Sequence, residues 1–236
     1  MKLGVNIDHI ATLRQQREAG LIELSQAASI CEKNGADSVV VHLREDRRHI
    51  QDEDVFVLRR TIKKRLNLEM SVAPDIVRIA CKVRPDQATL VPEKRKELTT
   101  EGGLDVAGLK KSVFQTVESL KKNGIDCSLF IEPDFKQIKA SKESGVKIIE
   151  LHTGKYAECK DKKSARKALL EIKDSVQYAK SLGLTVCAGH GLDYENVGAI
   201  VETGGIHELN IGYSIICRSV FKGLACAVRE MKGLII

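Results

Sequence analysis

The stretch Ser38-Val39-Val40-Val41-His42-Leu43-Arg44-Glu45-Asp46-Arg47-Arg48-His49-Ile50 passes from β-branched residues to charged ones within a few positions. Three consecutive valines favour an extended, buried backbone, and the polar residues after them end the strand. Side chains of a strand alternate between faces, so Val40, His42 and Arg44 share one side while Val41 and Leu43 share the other. A histidine and an arginine therefore leave the same side of one strand end, with Arg47, Arg48 and His49 close behind. An imidazole titrating near neutral pH, beside cations suited to phosphate, fits proton transfer on a phosphorylated substrate. By itself the stretch fits a solvated charged loop equally well. The remaining chain decides.

The same unit recurs along the chain. Extended apolar runs lie near Leu3 to Asp8, Ser38 to Leu43, Asn67 to Val72, Thr89 to Pro92, Cys127 to Glu132, Lys147 to His152, Thr185 to His190 and Glu208 to Gly212, with helical periodicity between them. Several helices end in one kind of turn: Asn34-Gly35, Asn123-Gly124, Ser144-Gly145 and Leu182-Gly183 each precede a strand. A glycine there supplies the left-handed cap that stops a helix. Eight strand-helix units in 236 residues match a single-domain α/β fold, the (β/α)8 or TIM barrel. An open doubly wound sheet would carry a glycine-rich turn after its first strand, and here that turn is Asp8-His9-Ile10-Ala11.

Strand parity sharpens the expectation. Gly4, Asn6 and Asp8 oppose Val5 and Ile7; Asn67 and Glu69 oppose Leu68 and Met70; Glu150 and His152 oppose Ile149 and Leu151; Glu208 and Asn210 oppose Leu209 and Ile211. If the apolar parity faces the helices, the polar parity fills the barrel. Its upper layers then hold Asn6, Asp8, His42, Arg44, Glu69, Glu132, Glu150, His152, His190 and Asn210. Burying so many ionisable groups is costly unless they are used, so an enzyme with its site at the C-terminal mouth is expected. One connection is long, polar and glycine-hinged. The stretch 93–105 is a candidate lid over that mouth, or else a disordered surface loop.

Proton-transfer candidates are His42, Glu69, Glu150 and His190, each near a strand's C-terminal end, where a carboxylate in a partly dry cavity gains basicity. Any of them can instead be a structural hydrogen bonder, and for Glu132 and His152 that reading has equal weight. Gly189-His190-Gly191 and Asn210-Ile211-Gly212, the latter opening the helix expected over Tyr213 to Met231, suit a phosphate cradle; their glycines also suit plain tight turns. A metal centre built from Asp8, His9, Glu150 and His152 is conceivable, but no His-x-His or His-Glu-x-x-His pattern appears, so no metal is expected.

Composition fits this picture. The chain is 43% hydrophobic and 30% charged, with four prolines and a net charge of +6. The positive charge is mild and scattered, and 4% aromatics with no tryptophan gives nucleic acid little to stack on, so no nucleic-acid partner is expected. Seven cysteines stand singly, which suits free thiols in a reducing compartment. The apolar segment at Met1 to Asp8 is too short for a signal peptide, and no stretch is long enough to span a bilayer. A cytoplasmic protein with no membrane partner is expected.

Six strings then carry a resemblance: Asn6 to Arg14, Val41 to Ile50, Leu90 to Arg95, Glu97 to Val106, Ile149 to Gly154 and Ala188 to Leu192. Together they resemble the pyridoxine 5'-phosphate synthase family, and the likeness runs from Met1 to the last helix. It implies a (β/α)8 barrel that condenses 1-deoxy-D-xylulose 5-phosphate with 3-amino-2-oxopropyl phosphate to pyridoxine 5'-phosphate, phosphate and water. His42 and Glu69 would be proton acceptors, His190 a proton donor, and Glu150 a group stabilising the transition state. Asp8, His9, Arg44, His49 and Thr99 would bind the deoxyxylulose phosphate; Asn6, Arg17, Gly191, Gly212 and Tyr213 would bind the amino-ketone phosphate. The resemblance also implies no cofactor, a homo-octamer, and a lid in the long loop. The family usually has histidine after Asn-Ile-Gly, where this chain has Tyr213, which offers a hydroxyl donor but no positive charge near neutral pH. Alternatives are another phosphosugar isomerase, aldolase or synthase on the same barrel, or a barrel that binds phosphate ligands without catalysis.

Overall fold

The computed structural model describes residues 1–17, 21–93 and 102–236. The chain alternates strands with helices: β1 (Lys2–Asn6), α1 (Asp8–Gln15), α2 (Leu24–Lys33), β2 (Ser38–Leu43), α3 (Asp52–Thr61), β3 (Leu66–Met70), α4 (Pro74–Val83), β4 (Gln87–Leu90) and α5 (Lys110–Lys122). Then follow β5 (Asp126–Ile131), α6 (Phe135–Glu143), β6 (Ile148–His152), α7 (Gly154–Ala157), α8 (Lys162–Ser181), β7 (Thr185–Gly189), α9 (Val197–Thr203), β8 (Glu208–Ile211), α10 (Tyr213–Lys222) and α11 (Leu224–Leu234). The strands pair in sequence order, all parallel, and β8 closes on β1. Among the described residues no helix is long and apolar enough to cross a membrane.

The parity expected from the sequence holds. Leu3, Val5, Val39, Val41, Leu68, Met70, Ile149, Leu151 and Leu209 are buried in the layer between barrel and helices. Each such side chain contributes about 1.5–3 kcal/mol relative to exposure, which fixes the register face by face. That register carries the polar parity inward and upward. His42 sits beside Glu69, Phe130 beside Glu150, and Gly189 beside Asn210. The barrel wall is tight where it needs glycine: a Cβ on Gly4 would fall 2.1 Å from Asn210 Oδ1.

Two expectations change in detail. Most strands end one or two residues earlier than their apolar pattern suggests, so Asp8, Glu132, His190 and Gly212 stand just beyond strand ends. The helix expected over Tyr213 to Met231 is two helices. Gly223 adopts φ +77°, a conformation closed to a helical backbone, and breaks the run between α10 and α11. Likewise α5 starts at Lys110, after a turn tied down by Leu109 N–H donating to Asp105 O.

Candidate active site

The open C-terminal end of the barrel holds a cavity of about 590 Å³, a size suited to small substrates. Asn6, Asp8, His9, His42, Arg44, His49, Glu69, Glu150, His190, Gly191, Gly212 and Tyr213 all line it. Two sequence candidates do not share this position. Arg17 is exposed just past α1 and does not line the cavity, and Thr99 lies outside the described residues. The proposed lid, 93–105, is described only at Glu93 and from Gly102 onward.

His42 is the most tightly held of the acid-base candidates. Its Nε2 lies 2.9 Å from Glu93 Oε1, and its backbone N–H donates to Asp8 Oδ1 at 2.9 Å. Glu93 Oε2 accepts from Glu45 N–H at 2.8 Å. Burial pushes the Glu93 carboxyl up, but its bond to His42, the Glu45 N–H and Arg44 outweigh that and hold it below the ordinary carboxylate range. An ionised Glu93 therefore accepts a proton bond from Nε2, leaving Nδ1 as the nitrogen able to take a proton. Asp8 is locked in turn, its Oδ2 accepting from Asn6 Nδ2 and its N–H donating to Asn6 Oδ1.

The carboxyls deeper in the barrel are strained electrostatically. Burial, then Glu150 and Asp8, push Glu69 well above its ordinary value. Burial likewise raises Glu150 to about 7, against a short bond from Asn210 Nδ2 at 2.6 Å that favours its charge. A carboxylate whose charged form is penalised binds a proton more firmly, which is what a base near neutral pH requires.

The anion-binding side is built from backbone. Gly212 caps α10 without any side-chain bond at that end, so the first-turn N–H groups and the helix dipole stay available. A Cβ on Gly212 would lie 2.8 Å from Asn6 Cβ, so only glycine lets the two loops meet. Tyr213, 69% exposed, packs edge-on against His9 with ring centroids 5.1 Å apart. Across the cavity, His49 Nδ1 accepts from Ile50 N–H at 2.8 Å, and burial lowers its pKa. Neutral His49 then presents Nε2–H as a donor, near the buried Arg44 guanidinium.

Donor atoms of Asp8, His42 and Glu69 lie within 4.8 Å of one another, a spacing compatible with a cation. This is a different set from the Asp8, His9, Glu150 and His152 group considered in the sequence. Two of its three residues are already engaged: both Asp8 oxygens accept hydrogen bonds, and His42 Nε2 pairs with Glu93. Sequence reasoning missed Glu93 as the partner of His42 and Phe130 as part of the wall. The signal for Phe130 was its shared parity with Glu132, two residues on; nothing in the sequence linked Glu93 to His42.

Fold and site define a class: a (β/α)8-barrel enzyme with acids, bases and anion donors gathered at its C-terminal mouth. The family model for pyridoxal phosphate biosynthesis protein PdxJ matches residues 3–236, and the chain belongs to that family. The pyridoxine 5'-phosphate synthase of Trichlorobacter lovleyi is 53% identical over 234 residues, covering 99% of this chain and 98% of the relative. That of Coxiella burnetii is 53% identical over 235 residues, covering 100% and 98%. Among solved structures, KGPDC from Streptococcus mutans aligns with a TM-score of 0.65 at 15% identity, covering 99% of this chain and 96% of its own. Phosphoribosyl anthranilate isomerase from Thermus thermophilus aligns with a TM-score of 0.62 at 12% identity, covering 99% and 98%. At those identities the likeness speaks for the barrel alone.

Proposed function

We propose that the chain is a pyridoxine 5'-phosphate synthase, condensing 1-deoxy-D-xylulose 5-phosphate with 3-amino-2-oxopropyl phosphate to pyridoxine 5'-phosphate, phosphate and water. Besides family membership, the observation that carries this reading is the convergence of His42, Glu69, Glu150 and His190 on one cavity with anion donors on two sides. Imine formation, phosphate loss, ring closure and dehydration each move protons on one bound intermediate, so several acids and bases must share one space.

In this reading His42 and Glu69 accept protons, His190 donates one, and Glu150 stabilises the charge that develops on the intermediate. Arg44, His49, Asp8 and His9 take the deoxyxylulose phosphate. Asn6, Gly191, Gly212 and Tyr213 take the amino-ketone phosphate, Tyr213 by hydrogen bonding without added charge. The roles of Arg17 and Thr99 rest on the sequence resemblance alone. Side chains suffice for these steps, so the reading invokes no cofactor. It also places a homo-octamer in the cytoplasm, acting on small phosphorylated substrates without nucleic acid or membrane. Unpaired cysteines and the apolar side chains exposed on α10 support that placement.

The test mixes purified protein with both substrates and follows product by absorbance and mass, beside His42→Ala and Glu69→Gln. Product from the parent and a loss of at least about a hundredfold in each variant is expected. Binding of both substrates with no product would move the chain to a different phosphosugar reaction.

A further inference from the structure

Beside His190, two residues at the ends of the preceding strands, Glu132 and His152, form an arrangement the proposed chemistry leaves unused. Glu132 follows β5, His152 ends β6, and His190 follows β7. Glu132 Oε1 lies 2.7 Å from His152 Nδ1 and also accepts Gly103 N–H at 2.8 Å. The hydrogen bond to His152 is the main reason the Glu132 carboxyl sits below its ordinary value. An ionised carboxylate only accepts, so the proton between the two belongs to His152 Nδ1.

The other nitrogen, His152 Nε2, is buried and has no hydrogen-bond partner among the described residues. A buried polar atom left without a partner costs about 1–3 kcal/mol, an expense that calls for a reason. The His152 ring packs against the His190 ring, centroids 4.8 Å apart, with Phe130 edge-on to His152 at 5.1 Å. Gly154 makes room for both rings, since a Cβ there would fall 2.6 Å from His152 Nε2 and 3.1 Å from His190 Cδ2.

His190 is held in a costly shape at this contact. Its φ is +82°, a region that side chains other than glycine avoid, and its carbonyl accepts from Thr153 Oγ1 at 2.6 Å. Such strain persists only where the surroundings over-determine the residue.

We propose that Glu132 and His152 form a positioning pair for His190, Glu132 fixing the His152 tautomer and the His152 ring fixing the His190 ring at the edge of the cavity. The pair deepens the proposed reaction and rests on His190 being its proton donor. It mirrors the carboxylate-histidine pair of Glu93 and His42 across the barrel, except that here the second histidine touches a third group instead of the cavity. The groups facing His190 are His152 on β6, Glu132 beyond β5 and Glu158 after α7. Burial first, then His152, lowers the His190 pKa, while the two carboxylates oppose this. By helping to bury His190, the His152 ring thus makes it a readier proton donor.

Histidine NMR on the intact protein, together with steady-state kinetics, tests the pair. In the parent, His152 is expected in the Nδ1–H tautomer; in Glu132→Gln that single tautomer is lost. In His152→Gln the His190 titration moves to higher pH, and the alkaline limb of the kcat profile moves with it. Both variants are expected to lose at least about tenfold in kcat, with KM within about twofold, since neither residue lines the cavity. An Nε2–H tautomer in the parent would overturn the pair even if the His152 variant fails to fold. So would an unmoved His190 titration with unchanged kcat. The NMR readout needs no turnover, so absence of pyridoxine 5'-phosphate would sink the proposed reaction separately from the pair.

Discussion

Glu150 shows what a single residue gives up for its place. An unfolded glutamate releases its proton near 4.5, whereas burial raises Glu150 in the folded barrel to about 7. The folded state therefore binds more protons across that window, and stability falls as pH rises from 4.5 through 7, then levels off. Replacing Glu150 by Gln keeps an oxygen for Asn210 Nδ2 but removes the charge. The variant is expected to match the parent near pH 4.5 and to exceed it by pH 8.5, by on the order of 2–3 kcal/mol, in urea unfolding. Turnover should fall at the same time, the trade a strained site imposes. An equal difference at both pH values would show that the buried charge is not the cause.

At the scale of an element, β7 and the turn after it carry the most constraint. Gly189 faces into the barrel, where an added Cβ would lie 2.5 Å from Glu150 Oε1 and 2.8 Å from the Asn210 carbonyl. The carbonyl is backbone and cannot swing aside. Gly189→Ala is expected to cost about 1–3 kcal/mol by overpacking and to displace Glu150, lowering kcat as well. Gly198, inside α9, meets nothing within 4 Å of an added Cβ. There an alanine is expected to gain about 0.5–1 kcal/mol from helix propensity with activity kept. Denaturant midpoints with unchanged slopes separate the two glycines.

For the whole molecule, α10 links site to surface. Its N-terminus closes the cavity, while Val220 and Phe221 near its C-terminus are 75% and 88% exposed. Apolar side chains so open, together with Ile236 at 89%, suit contact with further copies of the chain. On the proposed homo-octamer, Phe221→Glu is expected to lower the mass in sedimentation while the chain keeps its barrel by circular dichroism. Unchanged mass would remove Phe221 from any interface.

Much of this was legible along the chain. Alternation of Val5 with Asn6, Leu68 with Glu69, and Ile149 with Glu150 fixed which face each strand buries, because a slip of one residue would put carboxylates among the helices. The cap glycines and the strand-helix count then left one architecture, and the polar parity named Asn6, Asp8, His42, Arg44, Glu69, Glu150, His190 and Asn210 of the cavity wall, while Glu132 and His152 of the same set stand behind it. What the chain could not disclose was pairing between side chains far apart in sequence. Glu93 reaching His42, Asn210 reaching Glu150, and the packing of His152 on His190 depend on barrel closure and shear, which set distances across the mouth. The early end of β7, with His190 forced to positive φ, and the break at Gly223 come from the same source. Local preference proposes a strand or a helix; the closed ring of neighbours decides where it stops, and which buried charges find partners there.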